Sequence, residues 1–288
     1  MSLHVMFSNM LLPELVGCLA TVSLQGVAVA TGIVAGVGLF IGLFLGFAAK
    51  TFEVKQDERE IQVREFLPGA NCGGCGYPGC DGLAAAIAAG KAPANACPVA
   101  NKEAHSKIAE VMGTSVVEDE KKVAFVKCAG TCDKTEIKYE YYGVRDCNKA
   151  AVVPGKGNKK CSYGCMGFGS CVKVCAFDAI HIVNGIAVVD KEKCTGCSTC
   201  TAQCPNKLIE MVPAAARHLV ACSSFDKGKD VKLACQAGCI GCKLCVKACE
   251  YDAIHVENNL ATIDYSKCTN CGKCAVVCPV KVIVAEQV

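Results

Sequence analysis

The chain has 288 residues, a formal net charge of +3 and 26 cysteines, with no Trp, ten Phe and seven Tyr. Cysteine at this density is far above the usage of an ordinary intracellular protein, and so few aromatic residues exclude a large apolar core as the main source of stability. A disulfide framework is excluded as well: it belongs to short secreted domains, and the first 49 residues carry no Lys or Arg to form the basic start of a signal peptide.

Residues 1–25 are patchily apolar and include Pro13 and Glu14, which predicts an interfacial segment. From Gly26 to Ala49 the chain is uncharged for 24 residues, about 36 Å of helix and enough to span a bilayer. A transmembrane helix is therefore expected over 26–49. Gly32 and Gly36 form one small-x3-small pair, and Gly38, Gly42 and Gly46 extend another along which a neighbouring membrane helix can pack closely. Lys50 and Lys55 follow the span and no Lys or Arg precedes it, which places the C-terminal side in the cytoplasm. Reduced cysteines agree with that compartment. Residues 50–65 read as a solvated linker, part of a charged juxtamembrane helix or connector that runs on to Pro68 and Gly69.

Residues 66–112 form a first module. Cys72, Cys75, Cys80 and Cys97 follow the pattern C-x2-C-x4-C-x16-C-P. Gly73, Gly74, Gly76 and Gly79 let the backbone turn tightly and offer open N–H groups. The run from Asp81 predicts a short helix that ends at Gly90 and carries the chain back to Cys97. Four separated thiolates suit an iron–sulfur cluster, with tetrahedral zinc as the alternative. Residues 113–160 read as a cysteine-containing linker domain with Cys128, Cys132 and Cys147.

Two repeats follow, over 161–212 and 213–288. Shifting the chain by 74 residues lays the stretch from Cys175 on that from Cys249 without a gap. Each copy predicts a strand, a two-residue turn (Asn184-Gly185, Asn258-Asn259), a returning strand and C-x2-C-x2-C-x3-C-P. Three thiols in one tight loop with a fourth three residues on fit zinc poorly, and a cubic iron–sulfur cluster well. The fold class is thus α+β: one transmembrane helix followed by small iron–sulfur modules, two of them repeats.

Residues 161–208 and 235–282 resemble the bacterial two-cluster ferredoxin. The resemblance implies crossed ligation, in which the last cysteine of each quartet serves the other cluster. The C-terminal copy would hold one cluster on Cys239, Cys242, Cys245 and Cys278 and another on Cys268, Cys271, Cys274 and Cys249. The earlier copy has one full set, Cys194, Cys197, Cys200 and Cys175. Its second set has Cys165, Cys171 and Cys204, but Phe168 stands where Cys242 stands in the other copy. Either that site holds a three-iron [3Fe-4S] cluster or another thiol substitutes, and Cys161, four residues before Cys165, is the favoured substitute. Cys128, Cys132 and Cys147 then need a fourth thiol, from Cys222 or Cys235, with the pairing open. Five [4Fe-4S] clusters are expected, and six if these last thiols form a site.

An apolar span, then the CGGCGYPGC module, then ferredoxin-like repeats together resemble the B subunit of the Rnf complexes, the ion-translocating ferredoxin:NAD oxidoreductases. What the resemblance implies is an electron-transfer subunit of a translocase. It would accept electrons from reduced soluble ferredoxin and pass them to partner subunits of the complex in the cytoplasmic membrane, where they drive Na+ or H+ movement. NAD would be reduced elsewhere, and no G-x-G-x-x-G follows a predicted strand here. No acid–base pair or activated nucleophile stands out, so the cofactors carry the chemistry. No nucleic-acid partner is expected. Six clusters at roughly −2 each would take the net charge to about −9. Lys156, Lys159, Lys160, Lys227 and Lys229, beside the cysteine loops, offset that locally and are candidates to steer an acidic ferredoxin. The other readings are a wire subunit of a membrane hydrogenase or formate dehydrogenase and, more distantly, a zinc-stabilised scaffold.

Overall fold

The computed structural model describes residues 24–51, 57–115 and 120–285. The interfacial segment expected over 1–25 lies outside the described residues up to residue 23. Helix α1 (Leu24–Thr51) covers the expected span and extends it by two residues at each end. It is the one helix among the described residues that is long and apolar enough to cross a membrane. It belongs to a unit separate from residues 57–288.

Helix α2 (Glu58–Phe66) starts at Asp57, whose side chain accepts from the Arg59 N–H. This segment was expected to be solvated, yet Val63 and Leu67 are buried. They pack with Leu83, Ile87 and Ile108 of helices α3 (Gly79–Ala88) and α4 (Lys102–Met112), and Arg64 of α2 pairs with Asp81 of α3. The apolar residues of a mostly charged helix thus complete the small core of the four-cysteine module. The predicted stop is present: Gly90 takes a φ of 69° just beyond α3.

The rest is the same fold built twice. Strand β1 (Lys122–Val126) pairs antiparallel with β4 (Ile209–Pro213), in register from Lys122 opposite Pro213 to Val126 opposite Ile209. Between them lie the hairpin β2 (Ile180–Val183) and β3 (Ile186–Val189) and three short helices, α5 (Cys147–Ala150), α6 (Ser170–Lys173) and α7 (Thr199–Gln203). In the second copy β5 (Leu219–Val220) pairs with β8 (Ile283–Val284), and β6 (Ile254–Glu257) with β7 (Leu260–Ile263). Its helices are α8 (Gly228–Ala234), α9 (Leu244–Ala248) and α10 (Lys273–Val276). Both expected turns have positive φ at both central residues: 45° and 78° at Asn184-Gly185, and 47° and 66° at Asn258-Asn259. That twist closes a tight hairpin.

The β1–β4 pairing means that residues 122–126, read from sequence as linker, belong to the first ferredoxin-like fold. The copies differ in one insertion: 32 residues separate Cys128 from Cys161, but only 12 separate Cys222 from Cys235. Each copy has its own core, one around Val123, Ile180, Leu208 and Val212, the other around Ile254, Leu260 and Val282.

Candidate metal centres

In the first module Cys80 lies in the first turn of α3, and its N–H donates to Asn71 Oδ1 at 2.8 Å. Cys97 is buried, and its carbonyl oxygen is bonded to His105 Nε2 of α4 at 2.9 Å. Burial, with Cys75 and Cys80 close by, pushes the Cys97 thiol up. Cys72 lies on the same loop, and its carbonyl accepts from Thr199 Oγ1 of the first ferredoxin-like copy at 3.5 Å. A Cβ on Gly74 would collide with the Cys197 carbonyl. The cysteine loop of module one therefore lies directly on that of the next site.

In the second copy, Cys239, Cys242, Cys245 and Cys278 line one recess of about 320 Å³, and Cys249, Cys268, Cys271 and Cys274 line another of about 360 Å³. His218 lines the latter with its Nδ1 buried and unpaired. In the first copy Cys175, Cys194 and Cys197 lie close enough to Cys200 to oppose its ionisation. Burial, the larger effect, helps push Cys200 up to about 12. Backbone N–H groups point at the sulfurs at equivalent positions in the two copies: Ala179 donates to Cys175 and Ala253 to Cys249, both at 3.4 Å. Such donors stabilise thiolates and set cluster potentials.

At the Phe168 site the thiol that arrives is Cys147. It lines a recess of about 390 Å³ with Cys165, Cys171 and Cys204. Cys161, the substitute favoured on sequence proximity, faces elsewhere. The insertion explains the outcome. Tyr141 packs on Phe168 with ring centroids 5.2 Å apart, so the aromatic residue at the position that Cys242 holds in the other copy also docks the insertion that brings a cysteine in. Asp146 caps α5 by accepting from the N–H groups of Asn148 and Lys149. Buried Ser170 accepts from the Cys147 N–H at 2.8 Å and donates to Asp146 Oδ2 at 2.9 Å. The Ser170 hydroxyl, then the backbone N–H groups of Lys149 and Asn148, hold the Asp146 carboxyl below its usual range. The equivalent of Ser170 in the other copy is Leu244, so this latch belongs to the copy that needs it. Burial, then neighbouring Cys165, Cys147 and Cys204, push Cys171 up to about 12.

The remaining thiols fall out differently from the sequence reading. Cys128, Cys161, Cys222 and Cys235 line a single recess of about 460 Å³. Cys222, left unassigned by the sequence, is buried there. Cys132, expected among the ligands, is exposed and sits on the hairpin turn, with its N–H donating to Asn184 O at 3.0 Å. Of the lysines proposed to face a partner, Lys156, Lys227 and Lys229 are exposed, and Lys160 pairs with Glu136 at 2.7 Å. Lys159 is only 6 % exposed, so it is withdrawn from any partner surface.

The donor set fits a four-iron cube better than single ions. Among the described residues no three His, Cys, Asp or Glu side chains converge tightly enough to hold one metal ion. In four of the sets the thiols instead stand around recesses of about 320 to 460 Å³. A cube presents one iron to each thiolate and so needs a wider ring of sulfurs than tetrahedral zinc. Crossed connections put Cys171 and Cys175 at the two ends of α6 in different sets, and Cys200 and Cys204 at α7 likewise.

Small modules whose thiols gather in sets, with touching cysteine loops, define an iron–sulfur electron-transfer protein. Known proteins agree. Residues 67–99 match the FeS family, an Fe-S cluster domain, residues 187–210 a 4Fe-4S binding domain, and residues 238–282 a 4Fe-4S dicluster domain. The chain is 49 % identical over 261 residues to the B subunit of the Na(+)-translocating ferredoxin:NAD(+) oxidoreductase complex of Acetobacterium woodii, covering 90 % of this chain and 78 % of that protein. It is 42 % identical to the B subunit of the ion-translocating oxidoreductase complex of Methanosarcina acetivorans, over 87 % of this chain and 95 % of that one. It is 40 % identical to the B subunit of the proton-translocating ferredoxin:NAD(+) oxidoreductase complex of Clostridium ljungdahlii, over 86 % and 89 %. The chain belongs to the family of B subunits of these ion-translocating (Rnf) oxidoreductase complexes.

Proposed function

We propose that this chain is the electron-receiving wire of a membrane-bound, ion-translocating ferredoxin:NAD oxidoreductase. It takes electrons from reduced ferredoxin and delivers them to partner subunits in the membrane. Four-iron clusters, when bound, take up and release single electrons and so supply all of the redox chemistry. The residues proposed to hold five of them are Cys72, Cys75, Cys80 and Cys97; Cys175, Cys194, Cys197 and Cys200; Cys147, Cys165, Cys171 and Cys204; Cys239, Cys242, Cys245 and Cys278; and Cys249, Cys268, Cys271 and Cys274. With Cys147 supplied, the Phe168 site has four thiols and takes a complete cube.

The observation that carries the reading is the contact between successive cysteine loops. Gly74 lies against the Cys197 carbonyl, and Cys171 and Cys175 reach neighbouring sets from one short helix. Scaffolding needs metal at each module but no such adjacency between modules. Helix α1 (Leu24–Thr51) anchors the chain in the cytoplasmic membrane, with the iron–sulfur modules on the cytoplasmic side. Gly38, Gly42 and Gly46, whose Cβ positions meet nothing within 4 Å, pack on a helix of a partner subunit. Exposed Lys156, Lys227 and Lys229 attract an acidic ferredoxin.

The test is anaerobic purification followed by mixing with reduced ferredoxin. The loaded chain is expected to bleach in the visible as it oxidises the ferredoxin. A colourless, zinc-saturated protein without acid-labile sulfide would refute the reading, as would a loaded chain that fails to accept electrons.

A further inference from the structure

His218 shares the recess of Cys249, Cys268, Cys271 and Cys274. Its Nδ1 is closed off from solvent and has no hydrogen-bond partner among the described residues. Buried polar nitrogen is nearly always bonded, because it gives up water on burial and recovers nothing unless another group replaces it. Packing alone does not account for an imidazole here, since an aliphatic side chain of similar volume fills such a place without leaving a donor or acceptor unmet. The other ring nitrogen, Nε2, faces Gly272. The unmet bond therefore belongs to Nδ1, on a side chain that lines a ring of four thiols.

The second copy is built around this imidazole and the first is not. Strand pairing sets the correspondence: Val220 lies opposite Ile283 as Val126 lies opposite Ile209, so His218 takes the place of Ala124. Ala124 is buried and its backbone N–H donates to Cys194 Sγ at 3.4 Å, but its methyl side chain has nothing to donate. Where the first copy has Ser198 the second has Gly272. A Cβ on Gly272 would stand 3.0 Å from His218 Nε2 and 3.2 Å from Cε1, closer than atoms ordinarily pack, so a glycine makes room only in the copy that has a ring. Where the first copy has Gly196 the second has Asn270. The Asn270 side chain accepts from the Arg217 N–H at 3.0 Å and donates to Ala215 O at 3.2 Å, which fastens the segment leading into His218 to the loop that carries Cys268, Cys271 and Cys274. Three differences between the copies thus serve one ring: its nitrogen, its space and its tether.

We infer that His218 donates its Nδ1–H to a sulfur of the cluster held by Cys249, Cys268, Cys271 and Cys274 and thereby raises that cluster's potential. The inference rests on the proposed reading that these four thiols hold a four-iron cube. Reduction adds one negative charge to the cube, and a hydrogen bond strengthens with the charge on its acceptor, so an added donor favours the reduced state. His218 is a tuning residue and not a ligand, since four thiols already serve four irons. With no such donor at the equivalent place in the first copy, the bond gives the second copy a site where an arriving electron rests more readily.

The experiment uses the full chain loaded anaerobically, with iron and sulfide counted per chain and each EPR component titrated against potential. Cys268→Ser, which changes a ligand of this cube, identifies its component. His218→Leu fills the same space without a donor. It is expected to keep the parent's iron while that component moves to lower potential, its reduction equilibrium weakened about tenfold, or about 59 mV for a one-electron couple. His218→Asn, whose side-chain amide carries an N–H near the place of Nδ1, is expected to recover most of the shift. Parental potentials throughout in His218→Leu overturn the inference and leave the cube standing, as does a shift confined to other components. A shift that His218→Asn leaves at full size points to packing and overturns it too. If His218→Leu does not load, the parent decides: pulsed EPR of the reduced chain, grown with nitrogen-15 histidine, is expected to show a weakly coupled imidazole nitrogen on the same component. No such coupling, or coupling as strong as that of a bound ligand, overturns the inference. A parent chain devoid of iron and sulfide refutes the broader reading instead.

Discussion

Replacing Ser170 with alanine removes both hydrogen bonds through which that residue seats Cys147: the one accepted from the Cys147 N–H at 2.8 Å and the one donated to Asp146 Oδ2 at 2.9 Å. Ser170 is 4 % exposed, so water does not replace them freely. At roughly 1 kcal/mol net for each bond, the latch is weakened by about 2 kcal/mol. That is about a thirtyfold larger population with Cys147 swung away from Cys165, Cys171 and Cys204. A cube that loses one thiolate loses the iron beneath it. Ser170→Ala is therefore expected to convert one cluster to the three-iron form on mild oxidation, about thirtyfold more readily than the parent, and Cys147→Ser to do so outright. EPR of the oxidised protein reads the three-iron form directly, with iron per chain as the check. The reasoning is refuted if Cys147→Ser keeps every cube intact, or if Cys161→Ser converts this same site.

Gly74→Val places a side chain against the Cys197 carbonyl. It should cost about 1–3 kcal/mol in a denaturant titration by overpacking and slow electron passage between module one and the first ferredoxin-like copy, with iron content kept. Removing iron with a chelator under reducing conditions should loosen the Asp57–Val288 unit, because its cores are small and the bound clusters tie their loops together; circular dichroism checks this, and anaerobic iron and sulfide should restore it. The metal-free chain should also respond to alkali. Burial raises Cys171 and Cys200 from 9.0 to about 12, so their protonated forms stabilise whatever fold remains below pH 9. That contribution is lost as pH rises toward 12, and urea midpoints that fall over this range only in the metal-free protein would show it. Lys227→Glu with Lys229→Glu should slow oxidation of reduced ferredoxin at low salt and matter little at high salt, as stopped-flow mixing would record.

Much of this was legible in the one-dimensional chain because its signals are local. Twenty-four uncharged residues specify a membrane helix whatever surrounds them. The spacing C-x2-C-x2-C-x3-C-P, the Asn-Gly turn and the 74-residue shift each describe a few neighbouring residues, and hairpins, short helices and thiol loops follow from them. Tertiary structure decided the questions of long range. Cys161 is near Cys165 in sequence, but a chain segment that docks through Tyr141 on Phe168 delivers Cys147 instead. Cys128 meets Cys222 because β1 and β5 end side by side, 94 residues apart along the chain, a pairing that no periodicity announces. Lys159 reads as one more solvated lysine, and only packing shows it buried against two carbonyls. The physical reason is common to all three: a local motif carries its own geometry in bond angles and turn preferences, whereas the partner of a distant thiol or a buried charge depends on which surfaces come together as the repeats close on one another.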